Sequence, residues 1–240
     1  MGNFGAKLES FNNYMFESGG YKRVLEGLQN TVNIAVLGML IGMVIGILIA
    51  TVRVIPKYKT MPKILNGICS VYVALFRGTP IVVQLLVFYY VLFSPSLLNI
   101  AFMKDPVNVS ILVFGLNSGA YISEIMRGGI LSVDKGQMEG GRAMGLSFGA
   151  TMMKIVIPQA IKNIIPTMGN EFIALIKETS VVSFVGAVDL YRAFNDAGAN
   201  TYEFMVPYLA MALIYIVMVL IITLFIKVIE RRLRKGDKSL

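Results

Sequence analysis

The sequence predicts an all-α, multi-pass membrane protein with five transmembrane helices. Of its 240 residues, 56% are apolar and 15% are charged, and the mean hydropathy is +0.70, which is too apolar for an ordinary soluble domain. Five stretches also have the length of about 20 mostly apolar residues that a spanning helix needs. The chain has no His, no Trp and one Cys, which excludes Ser-His-Asp triads, imidazole or Cys-rich metal sites and intrachain disulfides. We therefore expect no catalytic and no metal site.

The N-terminal part of the chain predicts an amphipathic lead-in followed by an uncharged first span. Residues 1–30 lack a separate apolar core followed by a small-residue cleavage site, so a cleaved signal peptide is not expected. The first span runs from Val32 to Val52. Its glycines Gly38, Gly42 and Gly46 form a row that lets another helix of the same subunit approach closely.

The second apolar stretch predicts a broken helix. It runs from Ile64 to Leu98, too long for one upright span, and Arg77-Gly78-Thr79-Pro80 interrupts it. Proline removes a backbone donor and glycine lowers helix propensity, so we expect a kink or break there. The remaining spans are predicted over residues 107–126, 161–185 and 204–229.

Basic residues cluster in three segments near span ends, as they do on the cytoplasmic side of membrane proteins. This places the N-terminus outside and the C-terminus in the cytoplasm, and divides the chain into the lead-in, a transmembrane domain over 31–230 and a basic tail over 231–240. The formal charge of +8 then reflects topology and contact with anionic lipid rather than nucleic-acid binding. The clusters are Arg53, Lys57, Lys59 and Lys63; Arg127, Lys135, Arg142, Lys154 and Lys162; and Lys227, Arg231, Arg232, Arg234, Lys235 and Lys238.

The loop over residues 128–158 is longer than a connector requires. Apolar and polar residues alternate with helical spacing around Met138 and Met144, and Gly145 suits a helix stop. A second amphipathic piece follows from Ala150 to Ile157, and we expect Pro158 to end it. The pattern fits either a helical hairpin lying on lipid or a docking element for a cytoplasmic partner.

This loop resembles the EAA signature of bacterial ABC importer permeases. The run Glu139-Gly140-Gly141-Arg142-Ala143-Met144-Gly145 is followed by Ile157-Pro158, with Gly140 and Gly141 in place of the two alanines. Each replacement costs roughly 1 kcal/mol of helix propensity. Three further blocks, spread over the chain between Gly27 and Arg231, are similar to the polar amino acid family of these permeases. They are Phe76-Arg77-Gly78-Thr79-Pro80 with Gln84; Asn117-Ser118-Gly119-Ala120-Tyr121 with Glu124 and Arg127-Gly128-Gly129-Ile130; and Gly169-Asn170-Glu171 through Lys177-Glu178-Thr179-Ser180.

The resemblance implies the fold of a type I ABC importer permease in the bacterial plasma membrane. It implies a second permease subunit, identical or paralogous, two cytoplasmic ATPase subunits and an extracytoplasmic binding protein. ATP and Mg²⁺ would be bound by the ATPase, and no Gly-Lys dipeptide of a phosphate loop occurs here. The residues that would couple to the ATPase are Glu139, Gly140, Gly141, Arg142, Met144, Gly145 and Pro158.

Ionisable residues within the fourth span suggest where a substrate binds. Glu171 and Glu178 are seven residues apart, which places them on nearly one helix face, about 10.5 Å apart along the axis. Two carboxylates would attract an ammonium group, whereas Arg77 could meet a substrate carboxylate or neutralise Glu171. An internal ion pair of Arg77 or Lys177 with a glutamate is the structural alternative.

The resemblance favours a basic amino acid, Arg, Lys or His, as the substrate, because these acidic positions contact substrate in some basic amino acid permeases. Cystine and glutamine are the alternative substrates. An ion-coupled secondary transporter or channel is the alternative function, motivated by the carboxylates. The candidate substrate-binding residues are Glu171, Glu178, Arg77, Thr79, Gln84 and Asn117.

Overall fold

The computed structural model describes residues 4–56, 58 and 60–235, and every regular element in these ranges is helical. Lys57, Lys59 and Lys238, which the topology prediction used, lie outside the described residues, as do the side chains of Arg234 and Lys235. The α-helices are α1 (Phe4–Asn12), α2 (Gly20–Val54), α3 (Thr60–Gly78), α4 (Ile81–Leu86), α5 (Pro106–Leu131), α6 (Lys135–Ala143), α7 (Phe148–Thr151), α8 (Ile157–Glu178), α9 (Leu190–Thr201) and α10 (Met205–Lys235). Asn13–Glu17, Val87–Leu92 and Met152–Val156 are π-helical, whereas Ala101–Lys104 and Thr179–Val185 are 3₁₀-helical.

The predicted spans correspond to helices of the structure. In the described part of the chain, α2, α5 and α10 are long and apolar enough to cross a membrane, and α3 with its bent continuation to Leu92 adds a fourth candidate. Helix α8 has 22 residues and covers most of the predicted fourth span, but its polar side chains keep it from qualifying by composition. The number of spans and the orientation of the termini stay predictions.

Helices α2 and α5 pack closely along the predicted glycine row. A Cβ atom on Gly42 would lie 2.7 Å from Cβ of Ser118, and one on Gly46 would lie 2.5 Å from Cγ2 of Ile122. Gly115 and Gly119 of α5 face Ile41 and Ile45 of α2 in the same way. The prediction that this row packs against a helix of the same subunit is confirmed.

The predicted break in the second apolar stretch is also confirmed. Helix α3 ends at Gly78, α4 begins at Ile81, and the chain bends by 105° between them. Pro80 is extended, with φ −62° and ψ 138°. The bend is therefore a full change of direction, larger than a proline kink within a continuous helix.

The N-terminal segment, Phe4–Glu17, packs on α9 and on the loop that follows it. The Phe11 ring stacks on Phe194 with centroids 6.5 Å apart, and Lys7 Nζ lies 2.8 Å from Glu203 Oε2. The rest of the predicted lead-in belongs to α2, which begins at Gly20 rather than near Val32.

Candidate translocation site and coupling loop

Two buried amides fix the break between α3 and α4. Gln84 Nε2 donates to the carbonyls of Phe76 at 2.8 Å and Thr79 at 3.0 Å, and to Thr79 Oγ1 at 2.9 Å. Asn117 Nδ2, from α5, donates to Gln84 Oε1 at 3.1 Å and to the Phe76 carbonyl at 3.3 Å. Carbonyls at a helix end have no partner within the helix, so these amides satisfy them. The structure thus joins three predicted substrate residues, Thr79, Gln84 and Asn117, in one network.

Arg77 lies beside this network and is exposed. Its guanidinium carbon is 5.2 Å from the centroid of the Tyr121 ring, within the range of a cation–π interaction. Arg77 belongs to the end of α3 and Tyr121 to α5, so this contact fixes the arginine side chain against α5 next to the break. The sequence placed Tyr121 in a motif but gave no signal for this contact.

The two glutamates of α8 differ in their surroundings. Glu171 is partly buried and Glu178 is exposed, and the Glu171 carboxylate interacts electrostatically with both Glu178 and Arg77. Within the described ranges, neither Arg77 nor Lys177 forms a salt bridge with either glutamate. Glu171 therefore has no salt-bridge partner among the described residues, and Arg77 acts on it only through longer-range electrostatics.

One face of α8 is polar and uncovered. Exposed side chains recur along it at Asn163, Thr167, Asn170, Lys177 and Glu178. Polar and ionisable side chains on a spanning helix are costly to place in hydrocarbon and normally face the bundle interior or a water-filled cavity. This polar face of α8 consequently needs a wet cavity or another subunit beside it.

The candidate coupling loop, residues 128–158, contains a well-capped helix, α6. Asp134 caps α6 by accepting a hydrogen bond from the Gly136 N–H at 2.7 Å. Gly145 ends the turn after α6 with φ +85°, and the Leu146 N–H donates to the Gly141 carbonyl at 3.1 Å. This is the left-handed glycine stop common at helix C-termini, which confirms the predicted stop at Gly145.

The two glycines that replace the signature alanines have different surroundings. A Cβ atom on Gly140 would meet nothing within 4 Å, whereas one on Gly141 would lie 2.5 Å from Cγ2 of Thr151 and 3.1 Å from Cδ1 of Ile155. Gly141 thus lets α6 close onto the next helix. The other predicted coupling residues on α6 and its end, Glu139, Arg142, Met144 and Gly145, are exposed. The loop surface has a groove of about 550 Å³, lined by Gly136, Gln137, Gly140, Gly141, Met144, Leu146 and Ile155.

Pro158 does not end the second piece of the loop, so this part of the prediction was wrong. The helix starts at Phe148 after the cap Ser147, passes through the π-helical turn Met152–Val156 and continues directly as α8. The π turn interrupts the ordinary hydrogen-bond pattern just before the proline. Pro158 then lies in the first turn of α8, where the preceding π turn tolerates the loss of one backbone donor. The loop is therefore connected to Glu171 by continuous helix, about 20 Å long from Pro158.

An ion cluster near the same end of the bundle was not predicted. Glu124 of α5 accepts hydrogen bonds from Arg53 of α2 and from Arg127, whose Nη2 lies 2.8 Å away. Arg53 counted in the sequence only as a marker of topology, whereas Arg127 also belonged to the block that contains Glu124. Their sequence positions near span ends gave no signal that they share one carboxylate.

Comparison with known proteins places this arrangement in a family. Residues 38–235 match the model of the family described as binding-protein-dependent transport system inner membrane component. The chain is 40% identical over 214 residues to the arginine transport system permease protein ArtQ of Bacillus subtilis, covering 89% of this chain and 94% of that protein. It is 34% identical over 211 residues to the glutamine permease protein GlnP of Escherichia coli, covering 88% and 93%. The identity to the L-cystine permease protein TcyB of B. subtilis is 37% over 210 residues, covering 86% and 85%.

Solved structures agree with the sequence relatives. An amino acid ABC transporter crystallised with histidines matches with a TM-score of 0.79 and 34% identity, over 91% of this chain and 98% of that one. The MetNI methionine transporter shares the fold, with a TM-score of 0.73 at 19% identity, over 88% and 96%. Because the family match and these relatives extend over most of the chain, it belongs to the binding-protein-dependent transport system inner membrane components and is the permease subunit of a bacterial amino acid ABC importer.

Proposed function

We propose that this permease carries a basic amino acid, and that Glu171 binds the cationic group of the substrate. The supporting observation is a partly buried carboxylate with no salt bridge among the described residues, on the polar face of α8. An unpaired charge in a partly buried position is costly, so a cationic substrate that neutralises it binds favourably. Arg77, held by Tyr121, is available for the substrate carboxylate, and Glu178 contributes a second negative charge.

In this proposal the side-chain amides of Gln84 and Asn117 position other residues and do not bind substrate. Gln84 and Asn117 are each 5% exposed and use their donors on the backbone of the break. They set the direction of α4 and the place of Thr79 and Arg77 beside the path. Substrate selectivity then depends on Glu171, Glu178 and Arg77.

The polar face of α8 supports a pair of permease subunits. A second copy or a paralogue placed against this face would enclose the path and remove its polar groups from lipid. The complete importer would then include two ATPase subunits, which bind ATP and Mg²⁺, and a binding protein that delivers the amino acid.

The coupling loop would dock on the ATPase through the exposed residues of α6 and its end. The groove beside Gly140 and Gly141 offers space for an apolar side chain of the ATPase, and Glu139 and Arg142 offer charges at its rim. Motion of the loop would reach the substrate residues through Pro158 and the continuous helix α8.

Glu171→Gln tests the substrate proposal because it keeps the size of the side chain and removes its charge. In liposomes with the ATPase and binding protein, the half-saturating arginine concentration for ATP-driven uptake should rise at least tenfold. This corresponds to about 1.4 kcal/mol or more of lost binding. Glu17→Gln, at an exposed position of the N-terminal segment, is the matched control and should leave uptake unchanged.

Three outcomes would contradict the proposal. Unchanged arginine uptake by Glu171→Gln would remove Glu171 from the site. An equal loss for glutamine and cystine would remove the preference for a cationic substrate. Uptake driven by an ion gradient without any ATPase would support a secondary transporter instead.

A further inference from the structure

An apolar groove of about 590 Å³ lies at the end of the bundle that carries the coupling loop. Its walls come from α2, α5, the π-helical turn and α8, and include Ile47, Ile55, Met126, Met152, Met153 and Ile161. Among the described residues that line it, Thr51 alone has a polar side chain, and its hydroxyl donates to the Ile47 carbonyl of its own helix. The volume falls within the roughly 300–1,000 Å³ of small-molecule sites. The groove therefore suits an apolar ligand.

The composition of the groove favours a flexible ligand. Five of its lining residues are methionines, whose unbranched and polarisable side chains adapt to irregular apolar shapes. The groove also differs from the surface assigned to the second permease. On α8 it takes the side of Ile157, Ile161 and Met168, whereas Asn163 and Asn170 lie on another side, as the helical period requires.

A cation lies beside this groove. Lys154 directly follows Met153 in the π-helical turn, is exposed, and has no salt bridge in the part of the chain that the structure describes. Basic side chains at the membrane surface attract anionic lipid headgroups. We propose that the groove binds one acyl chain of an anionic phospholipid from the adjoining leaflet, with Lys154 at its headgroup. The lipid would lie between the coupling loop and the bundle.

The absence of Trp from the chain provides a site-specific test. Met153→Trp places a fluorophore in the groove at a position that is 64% exposed, and Ile161→Trp is a second reporter there. Leu213→Trp, on α10 and 63% exposed, is the control outside the groove. Each variant is assembled with its ATPase in nanodiscs containing brominated phosphatidylglycerol or brominated phosphatidylcholine. The complex with the unsubstituted permease gives the fluorescence of the ATPase tryptophans, which is subtracted as background.

For the groove reporters, half-maximal quenching should need an at least threefold lower fraction of brominated phosphatidylglycerol in the nanodisc than of brominated phosphatidylcholine. Lys154→Gln should remove this difference. The Leu213→Trp reporter should be quenched equally by both lipids. Equal quenching by both lipids in the groove would overturn the proposal of an anionic lipid. A groove reporter that neither lipid quenches, while the control is quenched, would also overturn it, because a protein segment would then occupy the groove.

Discussion

At the scale of single residues, the two glycines of the coupling loop should respond oppositely to a methyl group. Gly140→Ala adds a Cβ atom in open space, so it should stabilise α6 by about 1 kcal/mol or leave it unchanged. Gly141→Ala forces a Cβ atom against Thr151 and should cost about 1–3 kcal/mol, as overpacking does. The measurement is the thermal unfolding midpoint of the purified importer, together with its ATPase activity.

Thr151→Ser provides the control for this prediction. It removes the methyl group that a Cβ on Gly141 would meet at 2.5 Å, but keeps the hydroxyl that donates to the Ser147 carbonyl at 3.0 Å. Combined with Gly141→Ala, it should restore part of the lost stability. A Gly141→Ala variant as stable as Gly140→Ala would show that the close contact with Thr151 does not matter.

The residue scale is also where the sequence was least informative. The blocks that resemble the permease family marked Gln84 and Asn117 as candidates, but their donors bond to the backbone of a break whose geometry depends on tertiary packing. Arg53 and Glu124 meet because α2 and α5 pack side by side. A single sequence contains the residue types but not such distances between helices.

At the scale of elements, α7, the π turn and α8 form one continuous helix. We therefore expect that a more flexible α8 would transmit less motion between the loop and the candidate substrate residues. Asn163→Gly with Thr167→Gly, at two exposed positions, should lower helix stability by about 1 kcal/mol each relative to alanine at the same positions. Stimulation of ATP hydrolysis by the loaded binding protein should fall several-fold, while basal hydrolysis stays unchanged.

The double alanine variant is the matched control, because it loses the same side-chain groups, including the bond from Asn163 to Ser132, but keeps the helix stiff. It should retain stimulation. Equal loss in the alanine and glycine variants would assign the effect to the side chains rather than to helix continuity.

At the scale of the whole molecule, the long apolar helices were predictable because apolar length is a local property of the sequence. The bend of 105° was predictable only as a break, since its angle is set by Gln84, Asn117 and the helices around them. The end predicted at Pro158 failed because the proline rule does not anticipate a π turn. Most of the architecture thus followed from the sequence, whereas the connections between its parts did not.

The ion pair that joins the N-terminal segment to the start of α10 predicts a pH dependence. The hydrogen bond from Lys7 lowers the pKa of Glu203 below its ordinary value. A lowered pKa in the folded state stabilises the contact above the ordinary pKa of about 4.3, and this stabilisation is lost as the pH falls through the folded pKa. A spin label at Glu9→Cys, with Cys69→Ala, should become more mobile when the pH is lowered from 7 to below 4.

Glu203→Gln is the control for the pH series. It should give a mobile label at pH 7 already and should remove most of the change on acidification. A label that stays immobile at low pH in the unmodified background would show that the stacked Phe11 and Phe194 rings, rather than the ion pair, hold the segment.

The glycine row between α2 and α5 has a consequence for how the molecule can move. Because Gly38, Gly42 and Gly46 bring the two backbones into contact with little side chain between them, sliding or rotation of one helix against the other would meet immediate steric resistance. Alternation between two states would then leave this pair as a fixed frame. The movement would then be made by α8 and the parts joined to it. In the transport cycle, α2 and α5 would stay fixed relative to each other while α8 moves against them.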